Sequence, residues 1–169
     1  MIILGIDTAI RCSGYGVIEL QVGHNPVVID CGIIKTPAKA PHSECLRRIF
    51  GGVNELCENF KPDHAAIESA FYQKNIKTAM ILSYARGAVM TALAIHEIPA
   101  YAYAPRVAKK ALTGSGAASK IQVATMIAAT CNLDMEDIQL DSTDAISIAI
   151  CHAQKAIMPN SSDFLSKPL

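Results

Sequence analysis

The chain has 169 residues, 51% of them apolar, with fifteen basic and fifteen acidic side chains that leave no net charge. That length and apolar content suit one domain with a full core. Cys12, Cys31, Cys45, Cys57, Cys131 and Cys151 form no C-x-x-C pair and no zinc spacing, so a zinc module and a disulfide scaffold are both set aside. Reduced thiols in a cytoplasmic protein are expected instead. Met1 runs straight into apolar sequence without a basic leader, and charges such as Arg86, Arg106 and Lys109 break the richest apolar stretches. Neither a secretory signal nor a bilayer-spanning run is expected.

The first element is Ile2-Ile3-Leu4-Gly5-Ile6-Asp7, a nearly unbroken aliphatic run that reads as a buried strand closed by a carboxylate. Asp7 either opens the turn through Thr8, Ser13 and Gly14 or is a metal ligand fixed by rigid backbone. Gly14 to Leu20 reads as a second strand. After the turn at Gly23, Asn25 and Pro26, Val27 to Lys35 reads as a third, and the short links predict an antiparallel meander. From Ser43, the residues Leu46, Ile49, Phe50, Val53, Leu56, Cys57 and Phe60 recur at helical spacing, as in an amphipathic helix laid on a sheet.

Lys61-Pro62-Asp63 ends that helix, and His64 to Glu68 reads as a short buried strand that again closes on a carboxylate. An acid in that place needs a partner or a metal. Ser69 to Lys77 reads as a loop where Phe71 and Tyr72 stand beside Lys74 and Lys77. Aromatics among bases suit stacking on unpaired nucleobases, while a Phe71 folded back into the core is the competing view. A helix over Asn75 to His96 is apolar nearly all round, with Val89 and Met90 among its residues, and needs cover on more than one side. A subunit interface is the natural second cover. Ala100 to Ala104 reads as a fifth strand, followed after Pro105 by a basic helix or turn with Arg106, Lys109 and Lys110. Ser119 then caps a helix to about Cys131.

Between Lys74 and Lys120 there are seven bases and one acid, Glu97, while acids collect around Asp134, Glu136, Asp137, Asp141 and Asp144. Such segregation fits a basic face beside an acidic pocket, or an ordinary solvated surface. Asp141-Ser142-Thr143-Asp144 precedes a last helix. Its two acids, three residues apart, either make helix-start chemistry or aim at one point from one face. Beyond 158 the chain is polar, and 159–169 is expected to form a flexible tail after a single domain over 1–158.

Asp7, Glu68, Asp141 and Asp144 therefore stand at two strand ends and one helix start. Carboxylates crowded together persist only with a compensating cation, and oxygen ligands select magnesium or manganese. Two such ions can activate water and stabilise the leaving oxygen in phosphodiester hydrolysis.

In order and spacing, Leu4-Gly5-Ile6-Asp7 with Gly14 and Gly16, Ala66-Ile67-Glu68-Ser69-Ala70-Phe71, Lys74-Asn75, Ala85-Arg86-Gly87, Lys120-x-Gln122-Val123 and Asp141-Ser142-Thr143-Asp144-Ala145 together resemble the RuvC family of Holliday-junction endonucleases. The resemblance implies an α/β, ribonuclease H-like fold, a mixed five-stranded sheet with helices on both faces. It implies that Asp7, Glu68, Asp141 and Asp144 bind two magnesium ions, with manganese able to substitute. It further implies a homodimer that nicks four-way junction DNA symmetrically during recombination and repair, and association with the RuvA–RuvB branch-migration complex. Phe71 would stack in the opened junction, and Lys109 and Lys120 would approach phosphates. One departure is Thr8-Ala9, where the family usually has Pro-Gly. An actin-like ATPase would need a second domain. An RNA-processing nuclease of the same fold and a non-catalytic junction-binding module are the remaining alternatives, and the module has no need of four acids.

Overall fold

The structure is a computed structural model that describes residues 1–69, 75–157 and 167–169. Five strands are present: β1 (Ile2–Asp7), β2 (Cys12–Glu19), β3 (Val27–Lys35), β4 (His64–Glu68) and β5 (Ala100–Tyr103). The helices are α1 (His42–Phe60), α2 (Ile76–Ile95), α3 (Pro105–Thr113), α4 (Lys120–Cys131) and α5 (Thr143–Ala156). The strands form one mixed sheet in the order β3-β2-β1-β4-β5, antiparallel from β1 to β3 and parallel from β1 to β5. The antiparallel half is the expected meander. Strand β2 begins at Cys12, two residues ahead of the expected start, because its ladder with β3 continues to Cys12 opposite Lys35.

Strand alternation divides the core between two faces. Leu4, Ile6, Val17, Ala65 and Ile67 point toward α1 and α2, while Ile3, Ile18 and Ala66 point toward the layer of α3, α4 and α5. Helix α5 is buried along almost its whole length, between the sheet and the outer pair α3 and α4. Helix α4 starts as expected, with a capping box in which Ser119 accepts from the Gln122 N–H and the Gln122 side chain accepts from the Ser119 N–H. Asn75 caps α2 by accepting from the Thr78 N–H.

The start of α5 differs from the helix-cap alternative. A 3-10 turn over Leu140–Ser142 intervenes, Ser142 occupies the cap position without a side-chain cap bond, and Asp141 caps nothing.

Helix α2 is the second surprise. It is long and apolar enough to cross a bilayer by length and composition, contrary to the expectation that Arg86 would interrupt it. Its inner residues Ala85, Val89, Ala92 and Leu93 pack into the core shared with α1. Its other face leaves Ile76, Met80, Tyr84 and Ile95 about half exposed or more. All six cysteines are free thiols.

A buried polar cluster sits at the far end of β4 from Glu68. The imidazole of His152 on α5 is fully buried, 2.9 Å from His64 Nδ1 and 2.8 Å from the Tyr103 hydroxyl. Burial, then the nearby His64 and Lys155, push its pKa down to about 4. The unfolded chain takes up that proton near pH 6.5 and so binds more protons between these values. Stability is therefore lost as pH falls from about 6.5 toward 4. The melting temperature of the wild type should drop over this range more steeply than that of His152→Gln. Equal slopes would show that His152 is not held neutral by the fold.

Candidate active site

Parallel pairing of β1 and β4, with Ile6 opposite Ile67, brings the strands' carboxyl ends to one edge and sets Asp7 beside Glu68. Both acids follow in alternation from residues that face α5, Gly5 on β1 and Ala66 on β4. Parallel register thus delivers two carboxylates to one face of the sheet.

Three glycines bring the other acids close. A Cβ on Gly5 would collide with the Ala145 carbonyl oxygen, one on Gly14 with the Asp141 carbonyl oxygen, and one on Gly16 with the Ile146 side chain. Because Gly5 pairs with Gly16 and Asp7 with Gly14, these positions form a side-chain-free trough across β1 and β2. The backbone of the 3-10 turn and of α5 lies in that trough. Asp144, in the first turn of α5, is near enough for its charge to act on Glu68.

The electrostatics follow from this crowding. The Glu68 carboxyl is raised well above the ordinary carboxylate range, first by burial, then by a hydrogen bond with Asp7 and by the charges of Asp7 and Asp144. Arg86 pulls the other way. Without a cation, Glu68 therefore holds its proton to higher pH than an ordinary carboxyl does. Asp144 Oδ1 is buried and accepts no hydrogen bond among the described residues. Lys109 Nζ lies 3.2 Å away but outside hydrogen-bonding geometry, so the contact is an ion pair. Thr8 Oγ1, next in sequence to Asp7, is likewise buried without a hydrogen bond among the described residues.

Asp141 is different. Its side chain is 63% exposed and lies 3.5 Å from Lys120 Nζ, itself half exposed, so it stands at the rim. A pair so exposed contributes little to stability.

This donor set fits a hard divalent cation. It is made of oxygens, it includes a buried Asp144 oxygen without a hydrogen bond among the described residues, and ammonium groups beside Asp144 and Asp141 offset part of its charge. Among the described residues, no three His, Cys, Asp or Glu side chains form a ready-made cage. Magnesium does not require one, since it keeps waters and is commonly held by one or two carboxylates together with substrate phosphates.

Of the expected nucleic-acid contacts, Lys109 is half-buried against Asp144, Lys120 is at the rim, and Arg106 and Lys110 are exposed on α3. Lys77 is exposed in the first turn of α2. Phe71, Tyr72 and Lys74 lie outside the described residues. Arg86 was missed as a site residue. It is half-buried on α2, and its Nη1 donates to the Glu68 backbone carbonyl, which ties α2 to the end of β4. Burial lowers its pKa while the Glu68 charge opposes that shift. An arginine within an otherwise apolar helix was the signal for it.

A mixed five-stranded sheet that gathers acids at the ends of β1 and β4 and at the approach to α5 is a ribonuclease H-like domain. The match to "Crossover junction endodeoxyribonuclease RuvC" spans residues 3–152, and the chain belongs to that family of metal-dependent nucleases. It is 42% identical to the RuvC of Alkaliphilus metalliredigens, over 90% of this chain and 93% of the relative. With the RuvC of Protochlamydia amoebophila it shares 40% identity over 95% of each chain. The structure of T. thermophilus RuvC in complex with Holliday junction substrate superposes with a TM-score of 0.88 at 31% identity, covering 100% of this chain and 99% of that one. The yeast mitochondrial Holliday junction resolvase Ydc2, at 14% identity and a TM-score of 0.64 over 90% of this chain and 78% of that one, shares the fold.

Proposed function

We propose that this protein resolves four-way DNA junctions in the cytoplasm, by paired magnesium-dependent nicks, during recombination and repair. The carrying observation is the meeting of Asp7, Glu68 and Asp144 on one sheet face, with a buried Asp144 oxygen that has an ion pair to Lys109 but no hydrogen bond among the described residues. Asp7, Glu68 and Asp144 are the inner ligands of two magnesium ions per subunit, for which manganese substitutes, and Asp141 completes the set from the rim. The ions, when bound, supply an activated water and stabilise the leaving oxygen. Glu68, whose carboxyl is raised by burial and by its acidic neighbours, would hold a cation in its deprotonated form. Arg86 holds Glu68 in place through its backbone. Lys109 and Lys120 leave their acids as phosphates arrive, while Lys77, Arg106 and Lys110 hold the backbone farther out. Phe71, Tyr72 and Lys74 are proposed to engage unstacked bases and their phosphates.

The purified protein, incubated with a four-way junction and a matched linear duplex, should nick the junction alone, in opposed strands, and only with magnesium. Equal cutting of the duplex would overturn junction selectivity. Association with the RuvA–RuvB complex is part of the same proposal. So is a single domain over 1–158 with a tail beyond it, whose last residue, Leu169, donates its N–H to the Ala100 carbonyl at 2.9 Å.

A symmetric double nick needs two sites, and the proposed homodimer forms through the open face of α2. Val89 is fully buried in this chain's own core and Met90 packs against it, so neither presents that face. Met80 and Tyr84 do. Met80→Glu should sediment as a monomer with a melting temperature near that of the wild type. A dimeric Met80→Glu would place the interface elsewhere.

A further inference from the structure

A second basic site lies at the same edge of the sheet as Asp7, on the side away from α5. There a cleft of about 550 Å³ is lined by Arg11, Cys12, Lys35, Thr36, Pro37, Ala38 and Arg48. Three of these seven residues are cations and none is an acid, in a chain with no net charge. None of the three belongs to the Lys74–Lys120 basic segment.

The cleft is built around Arg11. Its Nη1 donates to the Pro37 and Ala40 carbonyls at 2.7 and 2.9 Å and lies 3.1 Å from Cys45 Sγ, which fixes the guanidinium and ties down the chain between β3 and α1. Thr36, buried in the wall, donates to the Ile10 carbonyl at 2.9 Å. Among the described residues, Arg11 Nε and Nη2 meet no protein acceptor. Lys35, the last residue of β3, is exposed and makes no ion pair among the described residues. Across the cleft, Arg48 gives only its Nε to Glu44, at 2.8 Å, while Arg47 takes both carboxylate oxygens of that acid. The Arg48 Nη atoms meet no protein acceptor among the described residues. Two guanidinium groups, each held by part of its donors, and one ammonium thus leave N–H groups directed at one space. A phosphate takes hydrogen bonds of this kind, and the planar forks of arginine match its oxygens.

Position decides which phosphate. Asp7 pairs with Gly14, and Cys12 in the cleft wall lies two residues farther along β2 and opposite Lys35. By strand geometry the cleft begins about 8 Å from Asp7. A nucleic-acid strand held at the carboxylates and continuing over the Thr8–Arg11 loop reaches Arg11, Lys35 and Arg48 within one or two nucleotides. We propose that Arg11, Lys35 and Arg48 form a backbone-phosphate site for DNA beside the scissile position, on the α1 side of the sheet. This inference rests on the junction-nuclease reading. It adds a DNA-binding surface that the basic segment of α2 to α4 does not provide.

The test uses Lys35→Ala, Arg48→Ala and the double variant in the full chain, with Arg11 left in place because it holds the loop. Binding to a four-way junction is measured in chelator across a series of salt concentrations. Removing one phosphate-binding cation should flatten the slope of log affinity against log salt by about one unit, so the double variant should flatten it by about two. Melting temperatures should stay near the wild type, which separates a loss of phosphate contacts from a loss of folding. In a second arm, inorganic phosphate is added to the wild type, and its melting temperature should not respond at millimolar levels. An unchanged salt slope in the double variant overturns the proposal. If the slope is unchanged and phosphate raises the wild-type melting temperature, the cleft serves a free anion instead. A wild type that binds the junction with a normal slope but cannot nick it contradicts the nuclease reading and leaves the phosphate site standing. A wild type that does not bind the junction overturns both.

Discussion

Valine at position 5 should both destabilise the protein and stop it cutting DNA. Gly5 lies under α5, where an added Cβ would overlap the Ala145 carbonyl oxygen and stand 2.9 Å from the Ala149 Cβ. Neither neighbour can yield by rotating a side chain, because one is backbone and the other is a single methyl. Overpacking a rigid core costs about 1–3 kcal/mol, more where backbone must move, and here the backbone is that of the helix carrying Asp144. Gly5→Val should therefore lose at least about 3 kcal/mol in denaturant melts. Any fraction that folds should place Asp144 farther from Glu68 and nick poorly. Gly87→Val is the control, because a Cβ there meets nothing within 4 Å and Val is a better helix former than Gly, so stability should change little or rise slightly. Equal losses in the two variants would mean that the trough does not set the position of α5.

The second large effect separates two acids that look equivalent in the sequence. Asp144→Asn should cut junctions at least about 100-fold more slowly than the wild type, whereas Asp141→Asn should lose distinctly less. Asp144 Oδ1 is buried beside Glu68 and Lys109, while Asp141 is mostly solvated and faces Lys120. The neutral amide keeps the shape of each side chain and removes the charge a divalent ion needs. Removing Asp144 also relieves Glu68 of a like charge, although it leaves Lys109 without its acid. Junction affinity in chelator, measured beside the nicking rate, separates loss of chemistry from loss of binding. A reversed order, with Asp141→Asn the more damaged, would move the centre of the site to the rim.

How far the sequence carried depended on whether the determining interaction was local. The strands β1, β3 and β4 were legible as apolar runs, and their closing carboxylates stood out because burial disfavours them. The cap at Ser119 was legible because it lies within a few residues of its partner, whereas Asn75, read as the first residue of α2, is its cap. The 3-10 turn before α5 was not. Asp141 has helix-cap chemistry, but the chain there is shaped by the trough at Gly14, more than a hundred residues away. Burial of Val89 and exposure of Met80 escaped too, because an all-apolar helix carries no periodicity to tell its faces apart. The Arg86 bond to the Glu68 carbonyl and the His64–His152–Tyr103 cluster are pairings across elements, which charge counting does not find. The basic cleft was hidden for a similar reason, since its cations come from the loop after β1, the end of β3 and α1.

The central claim is that Asp7 and Glu68 form a shared carboxylate site that cuts DNA. Its most direct test is the nicking of a four-way junction by Glu68→Gln in saturating magnesium, alongside its junction affinity in chelator. Glutamine keeps the length of the side chain and leaves the Arg86 bond untouched, since that bond goes to the backbone. The structure predicts wild-type affinity within a few-fold and nicking reduced by at least about 100-fold. Nicking by Glu68→Gln at the wild-type rate would contradict it.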